Sequence, residues 1–438
     1  MSSADNPLLF DELDEWLAWL EQVHSVHKIE LGLERAATVA KRLDLLSSSA
    51  KFVTVAGTNG KGSTVAAIEA LALSHKLSVG TYTSPHLVVF NERIKVDGQN
   101  CSDELLVEGF RAVYEAKQDI ELTYFEFTTL VGLWVFKHLE LDLVVLEVGL
   151  GGRLDAVNIV DANIAVITSI GLDHVDWLGD NLETIAGEKA GVARKNKPLV
   201  IADSGIETLL KPSCEAIGCI PWVAGRDFSA TLDRKYWSYS GNSLAIDYHE
   251  LPLSDLYLPN LAAALTAFAY VYQELLGKAL SYAACYKAFE TLTLAGRFQQ
   301  LSQQPRVIVD VAHNEDSANL LNRKLLELKR SGVERIVALC GMLQDKDSAS
   351  CLEAMTAIDQ WNLVDLPEPR GKKAAELLQK LPKIAQNNAK CYSSLDDFNE
   401  SCVTHSCLKP SEALIVFGSF VTVGLFIDKW NKEGFAWI

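Results

Sequence analysis

No run of this sequence is apolar for long enough to cross a membrane, and no membrane partner is expected. The opening residues, MSSADNPLLFDELDEW, are acidic and lack the basic-then-apolar pattern of an export leader, so the expected location is the cytoplasm. Positive charge is scarce: 40 Lys and Arg stand against 57 Asp and Glu, a net charge of −17. That balance speaks against nucleic acid as a partner. It also requires that an anionic substrate meet a locally positive site built from lysines, arginines, backbone amides and divalent metal. Cysteine is sparse and scattered, nine in 438 residues. The tightest pairs, Cys214/Cys219 and Cys402/Cys407, do not make up a zinc ligand set, so buried free thiols are expected.

What is present is a globular composition, 49% hydrophobic and 22% charged, over a length that suits roughly two or three domains. The stretch 51–65, KFVTVAGTNGKGSTV, organises the rest. A strand-forming run, Phe52 to Val55, leads into Gly57, Gly60 and Gly62, with Lys61 among them and Ser63 and Thr64 behind. An Ala-rich helix is expected over 65–73. Strand, glycine-rich turn, lysine, hydroxyl and helix form the grammar of a phosphate cradle. Glycines let the backbone approach an anion so that several N–H groups converge on it, and the helix N-terminus adds a favourable dipole. Lys61 would bridge terminal phosphates, and Ser63 or Thr64 would reach a metal or a phosphate oxygen. The spelling departs from G-x-x-x-x-G-K-[ST], because Gly62 separates Lys61 from Ser63. A plain strand-to-helix turn is the bland alternative.

Upstream, 11–46 reads as two amphipathic helices. The break between them holds His24, His27, Ile29, Glu30, Leu31 and Gly32, which suit a loop against a pocket better than a metal site. Downstream, expected strands end in polar residues. The strand at 77–82 runs into Thr83 and Ser84, where Ser84 is either a magnesium ligand or a turn residue before Pro85. The apolar run 141–149 suits a central parallel strand. Glu147 near its end is costly without a partner, and that end of the sheet is where ligands bind, so a magnesium ligand is the better reading than a structural ion pair. A strand over 162–170 leads to His174. The recurrence of Ser84, Glu147 and His174 at strand ends favours a common metal site. Thr123, Tyr124, Phe125 and Glu126 offer aromatics either to a flat-ring pocket or to the core. The loop 149–158, GLGGRLDAVN, carries Arg153 and Asp155. Lys189, in a small-residue helix over 184–192, lies either on a solvated face or turned back toward the metal.

A further strand is expected at 199–202, antiparallel strands over 226–249, and an Ala-rich helix from Asn260 to about 270. The pattern breaks at LAGRF, 294–298, and restarts with a strand at 307–311, then Ala312, His313, Asn314 and a helix. Strands at 336–340 and 414–417 follow, ending in GMLQDKD and in Gly418, Ser419. This is a second alternating α/β unit of about 140 residues, without a Gly-rich dinucleotide fingerprint. Domains of 1–295 and 296–438 are expected.

The ordered set HKIELGLER, VAGTNGKGS, TSPHL with NERI, TYFEF, LEVGLGGRLDAVN, ITSIGLDHVDWLG, GEKAG, LAGRF, VIVDVAHN, GMLQDKD and VFGSF runs nearly end to end. It closely resembles the bacterial folylpolyglutamate synthase/dihydrofolate synthase family of Mur-ligase-like amide ligases. The resemblance implies a P-loop nucleotide-binding domain with a parallel central sheet and a smaller Rossmann-like C-terminal α/β domain. It implies ATP-dependent addition of L-glutamate to dihydropteroate and to reduced folates through an acyl phosphate. Asn59, Gly60, Lys61, Gly62 and Ser63 would then hold ATP phosphates, with Asn260, Arg297, Asp310 and His313 contributing to the nucleotide. Ser84, Glu147 and His174 would bind magnesium. Lys189 would be carbamylated and help hold a second ion. Ile29, Glu30, Leu31, Thr123, Tyr124, Phe125, Glu126, Leu154, Asp155 and Ala156 would form the pterin pocket, with Asp155 meeting the donor edge of the ring. Val157 and Ser63 stand where Thr is common in the family, and neither change removes an essential group. The glutamate site is less visible, with His313, Ser419 and the loop around Gly341 as candidates. A monomer that closes around ATP is expected.

Two other readings compete. A ligase acting on a cell-wall nucleotide peptide fits the phosphate loop, but TSPHL, TYFEF and GGRLDA speak against it. A nucleotide switch without ligase chemistry leaves Arg297 and Asp310 unexplained.

Overall fold

The computed structural model describes residues 7–23, 30–367, 369–405 and 408–433. Contacts gather the chain into two units: Met1–Pro85 with Phe90–Leu292, and His86–Val89 with Thr293–Ile438.

The first unit is built on β1 (Lys51–Ala56), β2 (Val79–Tyr82), β3 (Ile94–Val96), β4 (Gln99–Asn100), β5 (Leu143–Glu147), β6 (Ile164–Ile167), β7 (Pro198–Ile201) and β8 (Ile220–Val223). They form one sheet in the order β4-β3-β2-β5-β1-β6-β7-β8. From β2 to β8 neighbours are parallel, while β3 and β4 pair antiparallel at the edge. β5 is buried along its whole length, as its unbroken apolar run requires of a strand covered on both faces. Trp16 of helix Leu13–Val23, Phe110 of helix Asp103–Lys117 and Phe127 of helix Tyr124–His138 pack in series, with ring centroids 5.7 and 5.5 Å apart. β9 (Phe228–Asp233), β10 (Tyr236–Gly241) and β11 (Ile246–Pro252) make a small antiparallel sheet. The long helix Leu258–Leu276 follows.

The second unit holds β12 (Gln299–Gln303), β13 (Arg306–Val309), β14 (Arg335–Cys340), β15 (Gln360–Val364), β16 (Ala389–Tyr392) and β17 (Glu412–Phe417), in the order β12-β13-β17-β14-β15-β16. All neighbours are parallel except β12, which pairs antiparallel with β13. Leu87 and Val88 pack on this unit's core. Gly424 of helix Phe420–Glu433 permits that approach, since a Cβ there would stand 2.0 Å from the Leu87 carbonyl oxygen.

Cys101, Cys214, Cys285, Cys340 and Cys351 are buried free thiols. Cys402 departs from that expectation in being disulfide-bonded. No helix among the described residues is long and apolar enough to cross a membrane.

Candidate active site

The turn after β1 needs its glycines for close approach. A Cβ on Gly57 would lie 1.8 Å from Thr168 Oγ1, and one on Gly60 would lie 2.3 Å from Asn260 Nδ2. Gly60 also has φ +89°, a left-handed conformation that side chains disfavour. The loop is braced from the end of β6. Asn59 N–H donates to Ser169 Oγ at 2.9 Å, and its carbonyl accepts from Thr168 Oγ1 at 2.6 Å and Ser169 Oγ at 3.1 Å. Thr58 Oγ1 donates to Gly171 O at 3.1 Å and accepts from Gly171 N–H at 3.0 Å. Helix Lys61–Ser74 starts immediately after Gly60. Lys61 Nζ folds back on the loop, donating to the carbonyls of Gly57 at 3.0 Å and Thr58 at 3.3 Å. Gly62 and Ser63 lie in the helix's first turn. Thr64 Oγ1 is engaged with the Gly60 carbonyl at 3.0 Å, which leaves the Ser63 hydroxyl as the better metal or phosphate contact of the two.

Strand order brings the polar strand ends together. Tyr82 of β2 registers with Leu146 of β5, and Glu147 registers with Val55 of β1. Ser84 and Glu147 therefore meet, with the Ser84 N–H 3.4 Å from Glu147 Oε2. Glu147 is only 6% exposed, so a charge on it needs compensating partners. His174 follows β6, the strand on the other side of β1. It sits at φ +53°, its N–H donating to Asp173 Oδ1 at 2.9 Å. Among the described residues no group of three or more His, Cys, Asp or Glu forms a ready-made cage. Register brings Ser84 and Glu147 together, while His174 lies seven residues past the end of β6; a hydroxyl, a carboxylate and an imidazole are groups that suit a magnesium keeping waters and phosphate oxygens as its remaining ligands.

Lys189 lies on helix Leu182–Ala190 and is 4% exposed, so it is not on a solvated face. Burial, and then the charge of Lys61, push its ammonium down to about 7, opposed by Asp173 and Asp155. The glycine-rich loop packs directly on it: a Cβ on Gly152 would lie 2.8 Å from Glu188 O and 3.1 Å from Lys189 Cα. Arg153 fastens the same contact, its N–H donating to Glu188 O at 2.8 Å and its guanidinium pairing with the Glu188 carboxylate at 2.7 Å. Asp155 is buried and accepts from the N–H groups of Leu150 at 2.8 Å and Val157 at 3.0 Å. Burial raises its carboxyl to about 6 against the pull of those bonds and of Lys61.

Of the expected pterin residues, Ile29 lies outside the described residues, as do His24 and His27. Thr123 and Glu126 turn out to be a capping box for helix Tyr124–His138. Tyr124 and Phe127 are core residues, whereas Phe125 stays half-buried. The Phe125 ring covers Gly149, where a Cβ would lie 2.5 Å from Cζ, and meets the Tyr82 ring edge-on at 5.9 Å. Leu154 accepts from Gly32 N–H at 3.4 Å, which brings the Glu30 and Leu31 loop beside Leu154 and Ala156.

In the second unit, Asp310 accepts from Phe298 N–H at 2.8 Å and Ala312 N–H at 2.9 Å. Burial raises its carboxyl, with Arg297 opposing. Arg297 lies over the Phe420 ring at 5.0 Å, and the His313 ring is 6.3 Å from the same ring. Arg297, Asp310 and His313 thus form one cluster at the end of β13. Ser419 is a helix cap, accepting from Thr422 N–H at 3.0 Å.

Arg35, Thr168 and Ser169 carry geometry that the sequence reading assigned to no residue. Thr168 and Ser169 are strand-end hydroxyls like Ser84, so the same signal could have found them. Arg35 stands inside HKIELGLER without a local cue to its partner.

The Mur ligase middle domain family matches residues 55–206, and the Mur ligase glutamate ligase domain family matches residues 296–420. The chain is 39% identical to the dihydrofolate synthase/folylpolyglutamate synthase of Haemophilus influenzae, covering 94% of this chain and 96% of that protein. It is also 39% identical to the Escherichia coli protein of the same name, over 95% of each. The structure of E. coli FolC in complex with DHPP and ADP superposes with a TM-score of 0.89 at 38% identity, covering 98% of this chain and 99% of that one. The Yersinia pestis bifunctional synthase complexed with AMPPNP and Mn ion gives a TM-score of 0.88 at 37% identity, covering 98% and 100%.

Proposed function

This chain belongs to the dihydrofolate synthase/folylpolyglutamate synthase family of Mur-type ligases, and from its site we infer how it joins L-glutamate to dihydropteroate and to reduced folates at the expense of ATP. A carboxylate does not react with an amine unaided in water, so it must first acquire a leaving group. An oxygen of the pterin-borne carboxylate attacks the γ-phosphorus of ATP. The new O–P bond forms as the bond to the β-phosphate oxygen breaks, and ADP departs. The glutamate amine then adds to the acyl carbon and loses a proton, and the tetrahedral adduct expels phosphate to leave the amide.

The chain's work is to bring anions together and to offset their repulsion. The amides of Asn59 to Ser63 and the Lys61 ammonium receive the phosphates. Lys61 exchanges its carbonyl partners in the loop for phosphate oxygens. Asn260 supports the loop from beside Gly60, and Arg297, Asp310 and His313 are assigned to the nucleotide. Ser84, Glu147, His174 and a carbamylated Lys189 are the residues that would hold two magnesium ions, whose positive charge would offset that of the phosphates. Phe125 stacks on the pterin and Asp155 accepts from its donor edge, beside Glu30, Leu31, Thr123, Leu154 and Ala156. Glutamate is assigned to the second unit, near His313, Ser419 and the loop around Gly341. We infer a monomer that works in the cytoplasm.

The supporting observation is the meeting of Ser84 with Glu147 beside a phosphate loop braced on Thr168 and Ser169. The deciding experiment is ADP release with dihydropteroate and glutamate, each omitted in turn, with products identified by mass. ADP release that needs both, with dihydrofolate formed, is expected. Release that needs a cell-wall nucleotide instead, or ADP without amide, would overturn the reading.

A further inference from the structure

Glu126 is a buried carboxylate with two tasks. One is local: Oε2 accepts from Thr123 N–H at 2.7 Å while Thr123 Oγ1 accepts from Glu126 N–H at 3.2 Å, closing the capping box. The other is tertiary. Arg35, in the first turn of helix Glu34–Arg42, brings Nε to 3.2 and 3.3 Å of the two Glu126 oxygens, and Nη2 to 3.1 Å of Oε1. The same guanidinium donates from Nη2 to the Glu30 carbonyl at 2.9 Å, and its Nη1 lies 3.0 Å from Glu30 Oε1.

A planar fork with several fixed N–H donors can serve a carboxylate, a carbonyl and a second carboxylate at once, whereas an ammonium is a single point charge. The two arms differ in strength. Glu30 is half-exposed, so its ion pair alone would hold little. Glu126 is 3% exposed, and its charge needs this partner. On the far side of the loop, Gly32 N–H reaches the Leu154 carbonyl. Three chain segments that are far apart in sequence, 30–32, 123–126 and 154–156, are thereby tied together by one guanidinium and one backbone bond.

We propose that Arg35 is a positioning residue for the pterin pocket, fixing the Glu30 loop relative to Thr123 and Phe125 and so setting the KM for the pterin-bearing acid. The proposal rests on the assignment of those segments to the pterin. That assignment gives both acids one pocket, so dihydropteroate and tetrahydrofolate are expected to be affected alike.

The test is steady-state kinetics on the full chain carrying Arg35→Gln, Arg35→Lys or the double change Arg35→Gln/Glu126→Gln. The double variant keeps a capping side chain and removes the stranded buried charge. All three are expected to raise KM for both pterin substrates about tenfold, while kcat and KM for ATP stay within about twofold. A merely structural role would lower thermal stability and move both KM values together. Unchanged pterin KM in the double variant, or parallel rises in the pterin and ATP KM values, overturns the proposal. If Arg35→Gln does not fold, Arg35→Lys and the double variant decide. Phe125→Ala is measured alongside. If it too leaves pterin KM unchanged, the pocket assignment itself has failed; if it raises KM and the Arg35 variants do not, only the role of Arg35 has failed.

Discussion

Asn260 reaches so far into the phosphate loop that a Cβ on Gly60 would stand 2.3 Å from its Nδ2. Loop and helix are thus interlocked, although 200 residues separate the two positions. Gly60→Ala would both strain a φ of +89° and push the Asn260 amide aside. We expect it to lower kcat/KM for ATP about a hundredfold in a chain that still folds. Asn260→Ala should cost less, and the double variant should lose less than the product of the two single losses, because the clash is then gone. Losses that multiply independently in an ADP-release assay would show that the two residues do not act together.

Glu147 was legible because a carboxylate at the end of an otherwise apolar central strand demands a partner, and the parallel register then delivers Ser84 to it. The phosphate loop was legible for a similar reason, since its glycines, lysine and hydroxyls are adjacent in sequence. Edge strands were not. β3 and β4 are three and two residues long and partly exposed, too short for any periodicity. β12, with the pattern QQLSQ, shows no apolar alternation, and only its pairing with β13 makes it a strand. Within the site, Glu126 read as a pocket residue because its motif is local. Its ion pair with Arg35 spans 91 positions and leaves no trace in composition or spacing. Phe125 could not be told from Tyr124 by type, and only packing leaves Phe125 half-buried.

The carboxylate of Glu147 should matter more for metal than for fold. Glu147→Gln keeps an oxygen that can accept from Ser84 N–H but removes the negative charge. The magnesium concentration for half-maximal ADP release is expected to rise at least about tenfold, with KM for dihydropteroate little changed. A magnesium titration identical to that of the unmodified enzyme would remove Glu147 from the metal site.

Gly149 lies under the Phe125 ring, where a Cβ would stand 2.5 Å from Cζ. The obstructing atom is the far end of a side chain, so the ring swings away and the backbone stays. Gly149→Ala is therefore expected to raise KM for dihydropteroate about tenfold while ATP KM and thermal stability change little. In a Phe125→Ala background the same substitution should add almost nothing. An equal effect of Gly149→Ala with and without the ring would mean that the loop, and not Phe125, is responsible.

Lys189 gives the chain a pH signature. Burial and the neighbouring Lys61 hold its ammonium down at about 7, against an ordinary value of 10.5. Between those values the unfolded chain binds more protons than the folded one, so this group makes stability rise with pH across the window and withdraws that contribution as pH falls through it. In buffer free of carbon dioxide, Lys189→Met should flatten that slope in chemical denaturation measured at successive pH values. The same depressed value keeps much of the amine neutral near pH 7, and the neutral amine is the form that adds carbon dioxide. A new N–C bond forms, a proton leaves to solvent, and a cation becomes a carboxylate-like anion. Enzyme stripped of carbon dioxide should thus regain activity on adding bicarbonate, and at a constant concentration of dissolved carbon dioxide recovery should be faster as pH rises through about 7. Lys189→Ala should be inactive and partly rescued by acetate or formate. Full activity of that variant without rescue, or stripped enzyme indifferent to bicarbonate, would leave Lys189 a buried lysine with no part in the metal site.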